Sequence, residues 1–295
     1  MRFTPTDPER HVTPAPLHAT QRRHPSSLVL LAALACIACK GGADARSAAR
    51  GGAGLSSSES AVMEAAGPVV IAAPSARYVG GPVGAVGSVS GTVGLASPLT
   101  PEAALSTAKD SSACGSSVPD SSLQVKGSGL GNVVVWLEGV RKGKPVPLEK
   151  RIELESTHCL LTPRVQGAFL GGAVNVIAHE EFRQHLRFIA GGEKQPRAAV
   201  LLGKDEQVIP TELPLKTPGL VIVRDLDHDW PRAFIAVFDH PYFAITKPDG
   251  SWSIDQVPPG TYTLAAWHER TGRSEQQVTV AANGALKVEL KLEGK

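Results

Sequence analysis

The stretch from Asp239 to His268, DHPYFAITKPDGSWSIDQVPPGTYTLAAWH, narrows the possible folds more than any other part of the chain. Phe243 and Ile245 alternate with Tyr242, Ala244 and Thr246, the period-two rhythm of a half-buried strand. Lys247-Pro248-Asp249-Gly250 supplies turn chemistry, because Pro248 fixes φ while Asp249 and Gly250 tolerate positive φ. Ser251 to Ile254 alternates again. The pattern predicts a β-hairpin with Trp252 and Ile254 on the face of Phe243 and Ile245. Val257-Pro-Pro-Gly260 interrupts the strands, and Thr261 to Trp267 resumes them. With 30 Gly and 23 Pro in 295 residues and few helical periods, the chain reads as all-β.

Other segments repeat the signal. Ser88–Val93 has a first strand pattern, and Asn132–Gly139 is dense in β-branched residues. Arg151–Glu155, Ala173–Ala178, Leu220–Val223, Ala233–Val237 and Gln276–Val280 add more. After an Asn283-Gly284 turn, Leu286, Val288, Leu290 and Leu292 alternate with Lys287, Glu289 and Lys291, which gives one buried and one wet face. Glu180–Phe188 reads as a loop between strands. Gly127-Ser-Gly-Leu-Gly131 has no helix behind it to bind phosphate, so it reads as a turn.

The amino end is of another kind. Leu28 to Ala38 is a short apolar run behind Arg22-Arg23, with the charged start and small-residue end of a secretory signal. Cys39, or alternatively Cys36, resembles the lipidated cysteine of the bacterial lipoprotein lipobox, which implies residues 1–39 as signal and a lipid anchor in the cell envelope. Residues 40–87 are rich in Gly, Ala and Ser with little to bury, and are expected to form a disordered tether. The net charge of +2 belongs to the leader. Setting aside Arg2, Arg10, Arg22 and Arg23 with Asp7 and Glu9 leaves basic and acidic side chains equal in number. No Lys/Arg cluster with interleaved aromatics appears, so nucleic-acid binding is excluded. In an exported chain Cys114 and Cys159 are the thiols left after processing. An oxidising compartment favours their disulfide over free thiols or a metal pair.

Ser88–Val93, Val133–Glu138 and the Asp239–His268 stretch together resemble the carboxypeptidase regulatory-like domain, a small transthyretin-like sandwich of carbohydrate-binding-like fold. In that family the second strand runs almost directly into the hairpin. About a hundred residues intervene here, which points to an insertion. Within it Cys159-Leu-Leu-Thr-Pro163, Asn175, His185-Leu-Arg-Phe188 and Asp225–Phe234 resemble a cupredoxin (plastocyanin-like) domain. The resemblance implies two small β-sandwiches, the second inserted in the first: residues 88–140 and 240–295 for the regulatory-like domain, 141–239 for the cupredoxin-like one. It places His185 and His228 at copper-ligand positions, but Asp225 stands where the family has Cys, and Pro231 where it has Met.

Blue-copper chemistry needs the thiolate, so type-1 electron transfer does not follow from these residues. Two functional readings stay open. The first is a non-catalytic, envelope-anchored sandwich protein that binds carbohydrate or an envelope protein. The second is a periplasmic metal protein holding copper or zinc through His185, Asp225 and His228, with Asp227 and Asp229 as further oxygen donors. Asp225–Asp229 also has the spacing of a Ca²⁺ loop, but Trp230 occupies the position of its glycine. No nucleophile elbow or zinc-protease motif is present, so no enzyme is expected. Trp267 is a candidate stacking platform for a sugar, against the alternative of packing on Tyr262. His240 and His268 read as structural.

Overall fold

The computed structural model describes residues 77–212 and 214–294. The signal segment, with Cys36 and Cys39, and the tether up to residue 76 lie outside the described residues.

Two sheets form the outer sandwich. In one, Gly87–Leu95 runs antiparallel to Ser251–Val257 and parallel to Ala285–Leu292. In the other, Val134–Glu138 lies between Phe243–Ile245 and Gly260–His268, with Gly272–Val280 beyond. Val89, Val93, Val135, Leu137, Trp252, Ile254, Leu264 and Leu290 fill the space between them. Strands from before and after the central hundred residues therefore pair in the same two sheets. The intervening chain builds a second sandwich. Its four-stranded sheet has the order Leu160–Thr162, Ile152–Thr157, Val174–Ala178, Gln207–Val208. Its five-stranded sheet has the order Val165–Phe169, Arg232–Phe238, Gly219–Asp225, Gln184–Ala190, Ala198–Leu202. Leu154, Val176, Leu186, Phe188, Val223 and Ile235 pack between these two. The fold is all-β, one sandwich inserted in another.

A third apolar layer joins the sandwiches. Val134, Trp136, Ala265 and Trp267, on the outward face of one outer sheet, meet Leu220, Ile222, Phe234, Ala236 and Phe238 of the five-stranded sheet. Alternation explains both memberships: Ile222 and Phe234 face one way, Val221, Val223 and Ile235 the other. Both faces are covered, so Val133–Leu137 and Ala233–Phe238 read as unbroken apolar runs.

Three expectations are corrected here. The first is the hairpin. Phe243–Ile245 pairs with Val134–Trp136, whereas Ser251–Ile254 pairs with Val89–Thr92 in the opposite sheet. The Lys247–Gly250 turn carries the chain from sheet to sheet, closed by Gly250 N donating to Lys247 O at 2.8 Å and Lys247 N to Ser251 O at 3.0 Å. Gly250 has φ of 77°, and a Cβ there would sit 2.2 Å from the Val93 carbonyl oxygen. Trp252 and Ile254 thus enter the outer core, while Phe243 and Ile245 pack on the layer between the sandwiches. The second is the loop at 180–188. Gln184–Ala190 is a central strand, and its alternating burial sends Leu186 and Phe188 inward. The third is the tether. From Tyr78 the chain is folded: Tyr78 packs in the outer core, and Val79–Gly80 pairs with Lys142–Gly143.

Two buried imidazoles give this fold a pH dependence. His240 accepts a hydrogen bond from Tyr242 N, and His268 one from Arg270 N, each 3.2 Å long. Burial pushes both down from 6.5 to about 4, and Arg164 and Arg270 add repulsion at His268 against the opposing Asp120. The unfolded chain therefore takes up these protons first as pH falls. Their contribution to stability is complete above about pH 6.5, is lost between 6.5 and about 4, and is constant below that. Urea unfolding across this window should show the decline, flattened in a His240→Leu/His268→Leu variant. An unchanged slope in that variant would locate the effect elsewhere.

Candidate functional site

Arginines gather at one end of the layer between the sandwiches. Arg187 and Arg224 are directly opposed on neighbouring strands, and so are Arg224 and Arg232. Arg224 and Arg232 continue the face of Ile222 and Phe234, so they point toward the outer sandwich. Like charges in direct opposition are unfavourable in a sheet unless something compensates them. Arg164, just before Val165–Phe169, joins the group with its guanidinium 5.9 Å from the Phe234 ring.

Acids from the other sandwich meet part of this charge. Glu269 binds Arg164 as a fork, with Nε to Oε1 at 2.6 Å and Nη2 to Oε2 at 2.7 Å, while Arg164 Nη1 donates to Ser121 Oγ at 2.8 Å. Glu102 and Asp120 lie against Arg270, at 3.3 and 3.5 Å. Burial works to raise the Asp120 carboxyl. Hydrogen bonds from Ser122 and Glu102 N, with the Arg270 charge, outweigh it and hold the group below the usual range.

Arg164, Arg224, Arg232, Trp230, Asp120 and Ser121 are among the residues lining a cleft of about 300 Å³ at this junction. Two donors here lack an acceptor. Arg232 Nε and Trp230 Nε1 are buried with no hydrogen-bond partner among the described residues, and Trp230 is only 5% exposed. Burying an unpaired donor costs about 1–3 kcal/mol. Burial, followed by repulsion from Arg224, pushes Arg232 down to about 10, with Glu269 and Glu102 acting in the opposite sense. Arg232 is therefore still cationic at neutral pH.

A disulfide braces the adjoining wall. Cys114–Cys159 ties the arm that contains Leu105–Ser106 and Ser117–Val118 to the inserted sandwich. Beneath it His228 sits between two carboxylates: Nε2 is hydrogen-bonded to Asp110 Oδ2 at 2.8 Å, whereas Nδ1 lies 3.1 Å from Asp225 Oδ2 without hydrogen-bond geometry. Lys109 Nζ donates to Asp227 O at 3.0 Å. Phe182 and Trp230 pack on the His228 ring at 4.9 and 4.8 Å. The Asp225–Trp230 segment thus serves as the seat of the arm.

That geometry bears on the metal set. Asp225 and His228 come together, but His185 does not join them. Leu186 is the cross-strand partner of Asp225 and faces the inner core, so neighbouring His185 points from the opposite face of the sheet. Only the backbone N of His185 approaches the Asp225 carboxylate, at 3.4 Å. Among the described residues no three His, Cys, Asp or Glu side chains are grouped to hold a metal ion. The donors do not fit copper or zinc. Trp267 offers no open face either: it is 1% exposed and packs on Phe234 with centroids 5.3 Å apart. Sequence reading missed the arginines altogether, since strand register alone aligns residues so far apart in the chain.

The family model described as polysaccharide lyase family 4, domain II, matches residues 218–288, a stretch that runs from the inserted sandwich into the outer one. Among solved structures the chain is similar to a copper-containing nitrite reductase from Thermus scotoductus SA-01. The identity is 18% over 35% of this chain and 24% of that one, with a TM-score of 0.26. The chain thus spans about a quarter of that enzyme's length. No curated protein matches.

Proposed function

We propose that the chain is a non-catalytic binding module of the bacterial envelope, anchored through a lipid on Cys39 (or Cys36), which presents the cleft between its disulfide-held arm and the inserted sandwich to a carbohydrate. In this reading the outer sandwich is a carboxypeptidase regulatory-like domain, and the inserted one a cupredoxin-like scaffold without a copper centre. One observation carries the binding role: the cleft at the junction keeps two buried N–H groups that no protein acceptor satisfies. The stretch matching polysaccharide lyase family 4, domain II, supplies Arg224, Asp229, Trp230 and Arg232 to its walls, which supports a saccharide over a protein as ligand. Mixed polar donors beside an aromatic side chain suit that chemistry.

The experiment is a glycan array probed with the purified chain, wild type against Trp230→Ala. Retention of a defined glycan class, lost in the variant, is expected. An array without signal, with an envelope protein co-purifying instead, would replace carbohydrate by a protein partner. Metal analysis of the same preparation addresses the alternative reading. One equivalent of copper or zinc, lost in His228→Ala, would restore it. Labelled palmitate should enter the full chain in bacteria and be lost on Cys39→Ser or Cys36→Ser.

A further inference from the structure

We infer that the cleft is an oxyanion site: Arg232 and the Trp230 indole N–H receive a carboxylate, sulfate or phosphate group of the ligand. The inference rests on the binding role proposed above and deepens it by fixing the ligand's charge.

Most acids on this surface already have a basic partner. Arg164 has both oxygens of Glu269 and the Ser121 hydroxyl. Glu102 and Asp120 lie on Arg270. These acids are committed, and they reach Arg232 only through space. Asp229, the remaining acid of the cleft, is exposed to solvent at its mouth. Arg232 keeps part of its side chain at the surface, while its Nε lies buried without an acceptor. Its neighbour across the strands is another arginine, with a third beyond that. A guanidinium whose Nε–H lacks an acceptor gains most from a ligand that brings negative charge and planar or tetrahedral oxygens. A neutral hydroxyl would satisfy one N–H and bring no charge to the guanidinium. Trp230, close to Arg232 in sequence and lining the same cleft, adds a donor that can point only at an acceptor.

The test follows the indole N–H signals of the full chain by heteronuclear NMR. The chain has four tryptophans, and Trp230→Phe assigns the one of interest. Glucuronate and inorganic phosphate are titrated separately, with glucose as the neutral control. The Trp230 signal is expected to move with at least one of the anions and to stay still with glucose, more weakly as salt is raised. Arg232→Gln should weaken the binding at least tenfold, and Arg232→Lys less. Movement with phosphate alone would name phosphate as the group; movement with glucuronate alone would name a saccharide carboxylate. Silence toward both anions, or a titration unchanged in Arg232→Gln, overturns the inference. If that variant fails to fold, loss of anion binding in folded Trp230→Phe, followed on backbone signals of Arg224 and Arg232, decides in its place. A neutral glycan captured on the array, with no anion bound here, would leave the binding role standing and sink only this site.

Discussion

Trp267→Ala is expected to lower the free energy of unfolding by about 3–5 kcal/mol, the range for truncating a fully buried indole. The ring lies between the sandwiches, among Trp136, Phe234 and Phe238. No neighbour can refill that volume without breaking one of two sheets whose register is fixed on both faces. The loss should also change how the protein unfolds. This layer joins two sandwiches that each have a core of their own, so weakening it should broaden or split the denaturant transition. Trp267→Phe, which keeps most of the apolar area, should cost clearly less. A Trp267→Ala protein with an unchanged midpoint would mean that the layer contributes little to stability.

That position also shows how far the sequence could be read. Trp267 sits in an obvious strand, yet alternation reveals only which residues share a face of that strand. It does not reveal what covers the face. Leu286–Leu292 declares one wet side through its lysines and glutamate. Val133–Leu137 declares two covered sides, because its apolar run has no gap. The nesting of the sandwiches was legible because strand-like segments of the regulatory-like pattern stood a hundred residues apart with a further set between them. The pairing at Lys247–Gly250 was not, since a turn motif sets the local bend but not the sheet in which each arm lies. Val165–Phe169 escaped notice because it is short and broken by Gly167. That glycine has a packing reason: a Cβ there would lie 2.2 Å from the Phe243 ring. At the site, the clustered acids of Asp225–Asp229 drew attention to a metal, whereas the arginines were scattered over Arg164 to Arg232. Register brings the latter together, and it puts His185 on the face of Arg187, opposite that of Asp225.

Opening the Cys114–Cys159 bond is expected to cost about 4 kcal/mol in the chain-entropy account, because it closes a loop with a sequence separation of 45 residues. Double Cys→Ala replacement and reduction should agree in denaturation midpoint. The location of the bond predicts more than a global loss. The arm it holds has two short paired strands, a single helical turn at Ser111–Cys114 and few buried side chains of its own. Its remaining ties to the inserted sandwich include Asp110 on the buried His228 and the solvent-exposed bond from Lys109 to the Asp227 carbonyl. Without the bond, limited proteolysis should cut within residues 105–118 well before the sandwiches unfold. Leu105, Val118 and Asp120 belong to the cleft wall, so anion binding followed at Trp230 should weaken in the same preparation. If the arm stays protected while global stability falls, the bond acts on the unfolded chain alone and the cleft owes nothing to it.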